Sequence, residues 1–336
     1  MSLKQITLFL SAGMMLVPLA AANGAAASGG ASLRISQHMS LGAGAPVESA
    51  AIDSEAREVW LARGDSIDVV NADSGKTMGT LKVGGHISAI QTAPDLHAVL
   101  ATDRVGGRLL VIDSAGRKLV RTLKVGKTPS TLAYYTPLKR AFVGDRQAGT
   151  LTAIDLDRGQ AVGTLKLADG VGQLAANTYG QVFVASPESG KVHYIDAAKV
   201  ADMGAAQAGT GDRCGGIAID YWARRLFLSC ANGRVAVIDT DVGMTIKDLP
   251  GAKVPTATSS TPFAFGPIDG WRGGAFFLGE DGTLSSVKMI SPVKYATGPS
   301  LALPVGARSV VIDAKEKRLL SAAPGADGWE LLVIAN

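Results

Sequence analysis

The chain of 336 residues is poor in several things at once, and each scarcity removes a class of protein. Aromatic residues make up only 5% of it, and there are two cysteines, with no Cys-x-x-Cys pair to suggest a dithiol redox site. Lys and Arg are spread along the chain without a basic block. The net charge of +4 therefore does not describe a nucleic-acid binder. The four histidines, His38, His86, His97 and His193, share no ligand-like spacing, so neither a metal site nor a cofactor is expected. Nucleophile-elbow, phosphate-loop and dinucleotide fingerprints are missing, and Gly106-Gly107 reads as a hairpin turn. Trp60, Trp222, Trp271 and Trp329 fall at unrelated points, unlike the repeated tryptophan docking motifs of a quinone-dependent dehydrogenase. No helical periodicity of useful length is present.

What is abundant is Gly (41 residues), together with Val, Leu, Ile and Ala in short runs, as suits many short strands and tight turns. The first 27 residues stand apart. Lys4 precedes an apolar run from Ile6 to Leu19, and alanines at 20–22 and 25–27 offer cleavage sites. This is the pattern of a secretory signal peptide. The run is broken by Pro18 and falls short of the roughly 20 apolar residues a membrane span needs. Residues 1–27 are therefore expected to be removed on export, leaving a soluble, monomeric, periplasmic or secreted protein with no membrane span.

The remainder is one unit written repeatedly. Short β-branched runs close on Val70-Asn71, Ile112-Asp113, Ile154-Asp155, Ile195-Asp196, Ile238-Asp239, Val287-Lys288 and Ile334-Ala335, at spacings of 42, 42, 41, 43, 49 and 47 residues. Length alone would suggest two domains, but a period near 42 overrides it and signals a β-propeller. One unit parses into strand a (Ser130–Tyr135), b (Arg140–Gly144), c (Thr150–Asp155) and d (Ala161–Leu167), with Gly and Asp in the turns. Alternation in VRTLKV and TLTAID directs one set of side chains between the blades. The aspartates that close strand c (Asp113, Asp155, Asp196, Asp239) are expected to cap the next turn rather than to serve a site.

The last copy has strands a, b and c but no d, whereas the segment Leu33–Leu41 matches a strand d without a blade. The expected fold is thus all-β: a single domain over residues 33–336, seven four-stranded antiparallel blades, closed by the N-terminal strand. Closure removes an open sheet edge. Cys214 and Cys230 each stand eight residues from Trp222, the pivot of the hairpin between Gly215–Asp220 and Arg225–Ser229. They should face each other and form a disulfide in an exported protein. The sixth copy is irregular between Ala252 and Gly306.

The phrases RLLVIDS, LVRTLKVGKTPSTLA, TLTAIDL and RVAVIDTDVG resemble the repeat of the YVTN propellers of bacterial surface and periplasmic proteins. The likeness extends from about Leu33 to the end. The literal YVTN run is replaced by AFVGD, VFVAS and LFLSC. The resemblance implies a WD40/YVTN-like binding or scaffold protein and assigns no functional residue.

In such a ring the d-to-a links and b–c loops gather at one mouth of the central channel. The basic residues placed there, His86, Arg104, Lys127, Arg146, Arg213 and Arg308, are the ligand-binding candidates, because a planar guanidinium pairs with carboxylate or phosphate. Asp103, Asp145 and Asp212, interleaved with them, argue for an ordinary solvated face of mixed charge. The reading is of a non-catalytic binding or scaffold protein that takes a protein partner or a small anionic ligand at this mouth. The alternative is a lactonase-type hydrolase, for which Glu48, Asn177 and Asp212 would have to converge on the axis.

Overall fold

The computed structural model describes residues 32–208, 213–230, 232–241, 245–249, 263–291 and 294–336. The expected signal segment, Asp212, Lys253 and the stretch 250–262 of the irregular copy lie outside these residues. Strands form where short runs of β-branched and aliphatic residues sit between glycine or aspartate turns. Seven antiparallel sheets result, each built from strands neighbouring in the sequence except at the closing blade. Blade 3 comprises strand a (Pro129–Tyr135), b (Arg140–Asp145), c (Thr150–Asp155) and d (Gln160–Lys166). Blades 1, 2, 4, 5 and 6 begin with strands a at Val47–Asp53, Ile87–Ala93, Leu174–Ala176, Cys214–Asp220 and Phe263–Ile268.

The burial pattern explains the composition of each strand. Strand b of blades 1 and 2 (Glu58–Arg63 and Ala98–Asp103) is buried at every position, because each face meets a neighbouring blade. Seven hydrophobic clusters fill the seven interfaces between adjacent blades. The outer strand is buried only in part. In Lys118–Lys124 every residue but Leu123 is exposed, and within VRTLKV the alternate residues Leu123 and Val125 pack into the core between blades 2 and 3, while Val120 stays exposed.

Blade 7 is closed as the sequence implies. Its strands Val311–Asp313, Arg318–Gly325 and Gly328–Ala335 are completed by Arg34–Gly42, which pairs antiparallel with the last of them. Met39 from this strand enters the core between blades 7 and 1, and the preceding Leu33 that between blades 6 and 7. A partly buried charge cluster adds a second clasp across the 7–1 seam. Arg57 donates to Asp313 at 2.7 Å and to Asp73 at 2.6 Å, and Arg318 donates to the same two carboxylates at 3.0 and 2.6 Å. Burial alone would raise the pKa of the fully buried Asp313, but the hydrogen bonds from Arg57 and Arg318 outweigh it and hold it below the usual range. Asp73 is lowered to about 2, chiefly by Arg57.

Cys214 and Cys230 are cross-strand partners in blade 5 and are joined by a disulfide. In blade 6 the long c–d region becomes an interrupted outer strand. Lys294–Thr297 and Leu301–Ala302 both pair with Thr283–Ser291, and Ser286 ties the intervening loop by donating to the carbonyl of Pro299. Pro299 has no N–H for the ladder, which accounts for the break. Among the described residues, no helix is long and apolar enough to cross a membrane.

Candidate ligand site at the channel mouth

The mouth is built on two buried carboxylates. Asp103 and Asp145 end strand b of blades 2 and 3 and are almost wholly shielded from solvent. Asp103 accepts backbone N–H bonds from His86 in the d-to-a link and from Val105 and Gly106 in the b–c loop, and it also pairs with Arg108. Asp145 repeats this with the N–H groups of Lys127, Thr128 and Ala148 and the hydroxyl of Thr128. Burial opposes ionisation of both, yet these donors outweigh it and lower both pKa values. Gly85 and Gly126 make room: a Cβ on either would run into the carboxylate it faces. Close approach therefore explains the glycine of Val125-Gly126, whereas at Val83-Gly84 it is the following Gly85 that makes the approach and Gly84 meets nothing within 4 Å.

The residue after each staple is an arginine. Arg104 and Arg146 begin the b–c loops, 42 residues apart, and the Arg104 N–H is held by the carbonyl of His86 at 2.9 Å. A second recurring device faces them. Strand a of blades 1, 2 and 3 carries a register shift at its second residue, which is Glu48, Ser88 or Ser130. A bulge of this kind re-aims a side chain, and all three residues line one cavity. The same cavity, of about 290 Å³, is lined also by Arg104, Arg146, Gln173, Arg308 and Ser309. Blade 5 has Gly215 at the corresponding shift, with no side chain to contribute.

Three guanidiniums and one carboxylate thus share the cavity. Arg104 and Arg308 make no side-chain hydrogen bond or ion pair among the described residues, and desolvation pulls Arg146 below its ordinary pKa. Among the described residues Glu48 has a single neighbour in ion-pair range, His86 Nε2 at 3.7 Å, which is beyond hydrogen-bond distance. The buried hydroxyl of Ser309 has no partner among the described residues. Ser88 and Ser130 instead donate to backbone carbonyls. Among the described residues, no aromatic side chain lines the cavity. The arrangement is suited to holding an anion through planar, multiply donating groups.

Of the six basic candidates, Arg104, Arg146 and Arg308 come together in the cavity, and His86 stands beside its carboxylate. Lys127 contributes its backbone to the Asp145 staple while its side chain is exposed. Arg213 pairs with Glu188 at 3.0 Å on the exposed rim. The acids interleaved in the sequence have a different meaning in space. Asp103 and Asp145 are consumed by backbone donors and do not neutralise the mouth. Sequence reasoning placed Glu48 only in a hydrolase cluster and missed Gln173 and Ser309. The usable signal was positional, since Glu48, Ser88 and Ser130 occupy one place in the repeat. Asn177 lies at the opposite end of strand a, where its amide oxygen accepts from Tyr179 and Gln181, so it does not converge with Glu48. The strand c aspartates cap turns: Asp155 accepts from Arg158, Asp196 from Ala198 and Lys199, and Asp239 from Asp241.

No protein-family model matches the chain, and no curated protein matches it. The likeness to YVTN propellers therefore rests on the quoted repeat phrases. Solved structures do match. That of U3-55K superposes with a TM-score of 0.71 at 12% identity, over 90% of this chain and 98% of that one. At so low an identity the shared property is the fold, a β-propeller, here of seven blades.

Proposed function

We propose that the protein is an exported, non-catalytic propeller, a single domain over residues 33–336, whose channel mouth binds a small anionic ligand through Arg104, Arg146 and Arg308. The observation that carries this reading is the shared cavity: guanidiniums from three blades line it, and two of them have no partner among the described residues. A solvated face of mixed charge would instead pair its arginines with the neighbouring acids, as Arg213 does with Glu188. The cavity sits near the lower end of the ~300–1,000 Å³ typical of small-molecule sites, which favours a compact ligand over an extended one. Export is supported by the leader-like first 27 residues and by the blade 5 disulfide, a bond favoured in oxidising compartments. The hydrolase reading loses support because Asn177 is fixed in a turn at the other rim.

The test is a thermal-shift and calorimetric screen of the mature protein against organic acids, phosphates, sugar lactones and divalent cations. Stabilisation by organic acids or phosphates that disappears in Arg104→Ala and Arg308→Ala is the expected result. Calcium-dependent stabilisation with turnover of a lactone would replace this reading with the hydrolase. A flat response to every anion would leave the mouth as a surface for a protein partner.

A further inference from the structure

Glu48 is the misfit of the cavity. A carboxylate that served as counter-ion to the arginines would lie within about 4 Å of a guanidinium, where the attraction is large. Glu48 instead follows Val47 at the strand a bulge, flanked around the ring by Arg308 of blade 7 and Arg104 of blade 2, and pairs with neither. Its side chain is 38% exposed, and its one close partner, His86 Nε2, is itself buried and without a hydrogen bond. The protein thus keeps both signs of charge presented in a space of about 290 Å³, with an unpartnered Ser309 hydroxyl, 5% exposed, on the same wall.

We propose that the ligand is a small zwitterion carrying more negative than positive charge, an acidic amino acid or a close chemical relative, whose carboxylates engage the arginines and whose ammonium engages Glu48. This inference rests on the anion-binding reading above and specifies its ligand class. A purely anionic ligand would leave Glu48 opposed to it. A zwitterion turns that repulsion into a charge-assisted hydrogen bond. The formal balance agrees: the two guanidiniums without a partner, Arg104 and Arg308, match two carboxylates, and Glu48 matches one ammonium. The Ser309 hydroxyl offers a neutral donor and acceptor on the wall, and the lack of an aromatic lining among the described residues argues against a flat, stacking ligand.

Calorimetry on the mature protein with glutamate, 2-hydroxyglutarate and glutarate tests this, since the three differ only in the group offered to Glu48. Glutamate should bind at least about tenfold more tightly than glutarate, the size of one charge-assisted hydrogen bond, with 2-hydroxyglutarate between them. Glu48→Gln should reduce the glutamate preference to under about threefold while keeping or improving glutarate binding, and an unchanged melting temperature would show that the variant folds. Arg308→Ala should weaken all three. If glutarate or 2-hydroxyglutarate bound wild type as tightly as glutamate, or if Glu48→Gln kept the full preference, the zwitterion assignment would be overturned while anion binding stood. If none bound, the zwitterion assignment would be overturned, and if inorganic phosphate also failed to bind, the anion reading itself would fall.

Discussion

At the rim formed by the a–b and c–d turns, Arg57, Arg117, Arg140 and Arg318 each end on a carboxylate or carbonyl of an adjacent blade. At the opposite rim, Arg104 and Arg308 end on no protein group among the described residues. Arginine is the same residue in both places, and the surroundings set its role. On the first rim the guanidiniums stitch neighbouring blades together, and the fully buried Asp313 accepts from Arg57 across the seam where the chain closes the ring. On the second rim the nearby aspartates are turned inward to hold backbone, and the arginines are left for something from outside. A charge that holds the fold is paired; a charge offered to a ligand is not.

That contrast predicts opposite phenotypes at the two ends. The largest effect should come from deleting residues 33–41, which removes the outer strand of blade 7 and exposes both the edge of Gly328–Ala335 and the cores entered by Leu33 and Met39. Cooperative melting of the ring should be lost, and an unchanged transition would refute the closure. Next is Asp313→Ala, which leaves two largely buried guanidiniums to share the half-exposed Asp73 alone. It should cost about 3–5 kcal/mol in denaturant unfolding. Cys214→Ser with Cys230→Ser should cost about 2–4 kcal/mol, and reductant should lower wild-type stability by a similar amount while leaving the double variant unaffected.

Acid sharpens the comparison. Asp73 and Asp313 have folded pKa values below the ordinary 3.8, so their stabilisation is complete above that value and is lost as pH falls through the folded ones, about 2 for Asp73. Stability should therefore decline between about pH 4 and pH 2. Asp313→Asn should flatten that decline, and a slope identical to wild type would contradict the role given to the seam. The smallest effect on folding should come from Arg104→Ala or Arg308→Ala, within about 0.5 kcal/mol of wild type. A loss of several kcal/mol would mean that these arginines are structural after all.

Much of the ring was legible in the sequence because each blade restates the same local rules. The Ile-Asp phrase fixes where strand c stops, since the carboxylate caps the following turn. The symmetric placing of two cysteines about Trp222 fixes a hairpin register. The outer strands were legible in part: Leu123 and Val125 of VRTLKV pack between blades as the alternation suggests, whereas Leu119 and Val120 stay exposed, because one strand's pattern does not encode how far the neighbouring blade reaches. The site was half visible. Arg104 and Arg146 stand out as the recurring Asp-Arg pair, whereas the neutrality suggested by those same aspartates dissolved once their carboxylates proved to face inward. Lys127 and Arg213 share the loops of the mouth but point elsewhere, and a loop position alone does not give the direction of a side chain. Glu48 became informative only through the bulge that it shares with Ser88 and Ser130.

The most direct test of the account is the binding of small anions to the mature protein and to Arg104→Ala and Arg308→Ala, followed by calorimetry alongside a melt of each variant. The account predicts saturable binding to wild type, a loss of at least about tenfold in each variant, and melting temperatures that stay together. Equal binding by all three proteins, or a collapse of stability in the variants, would contradict it.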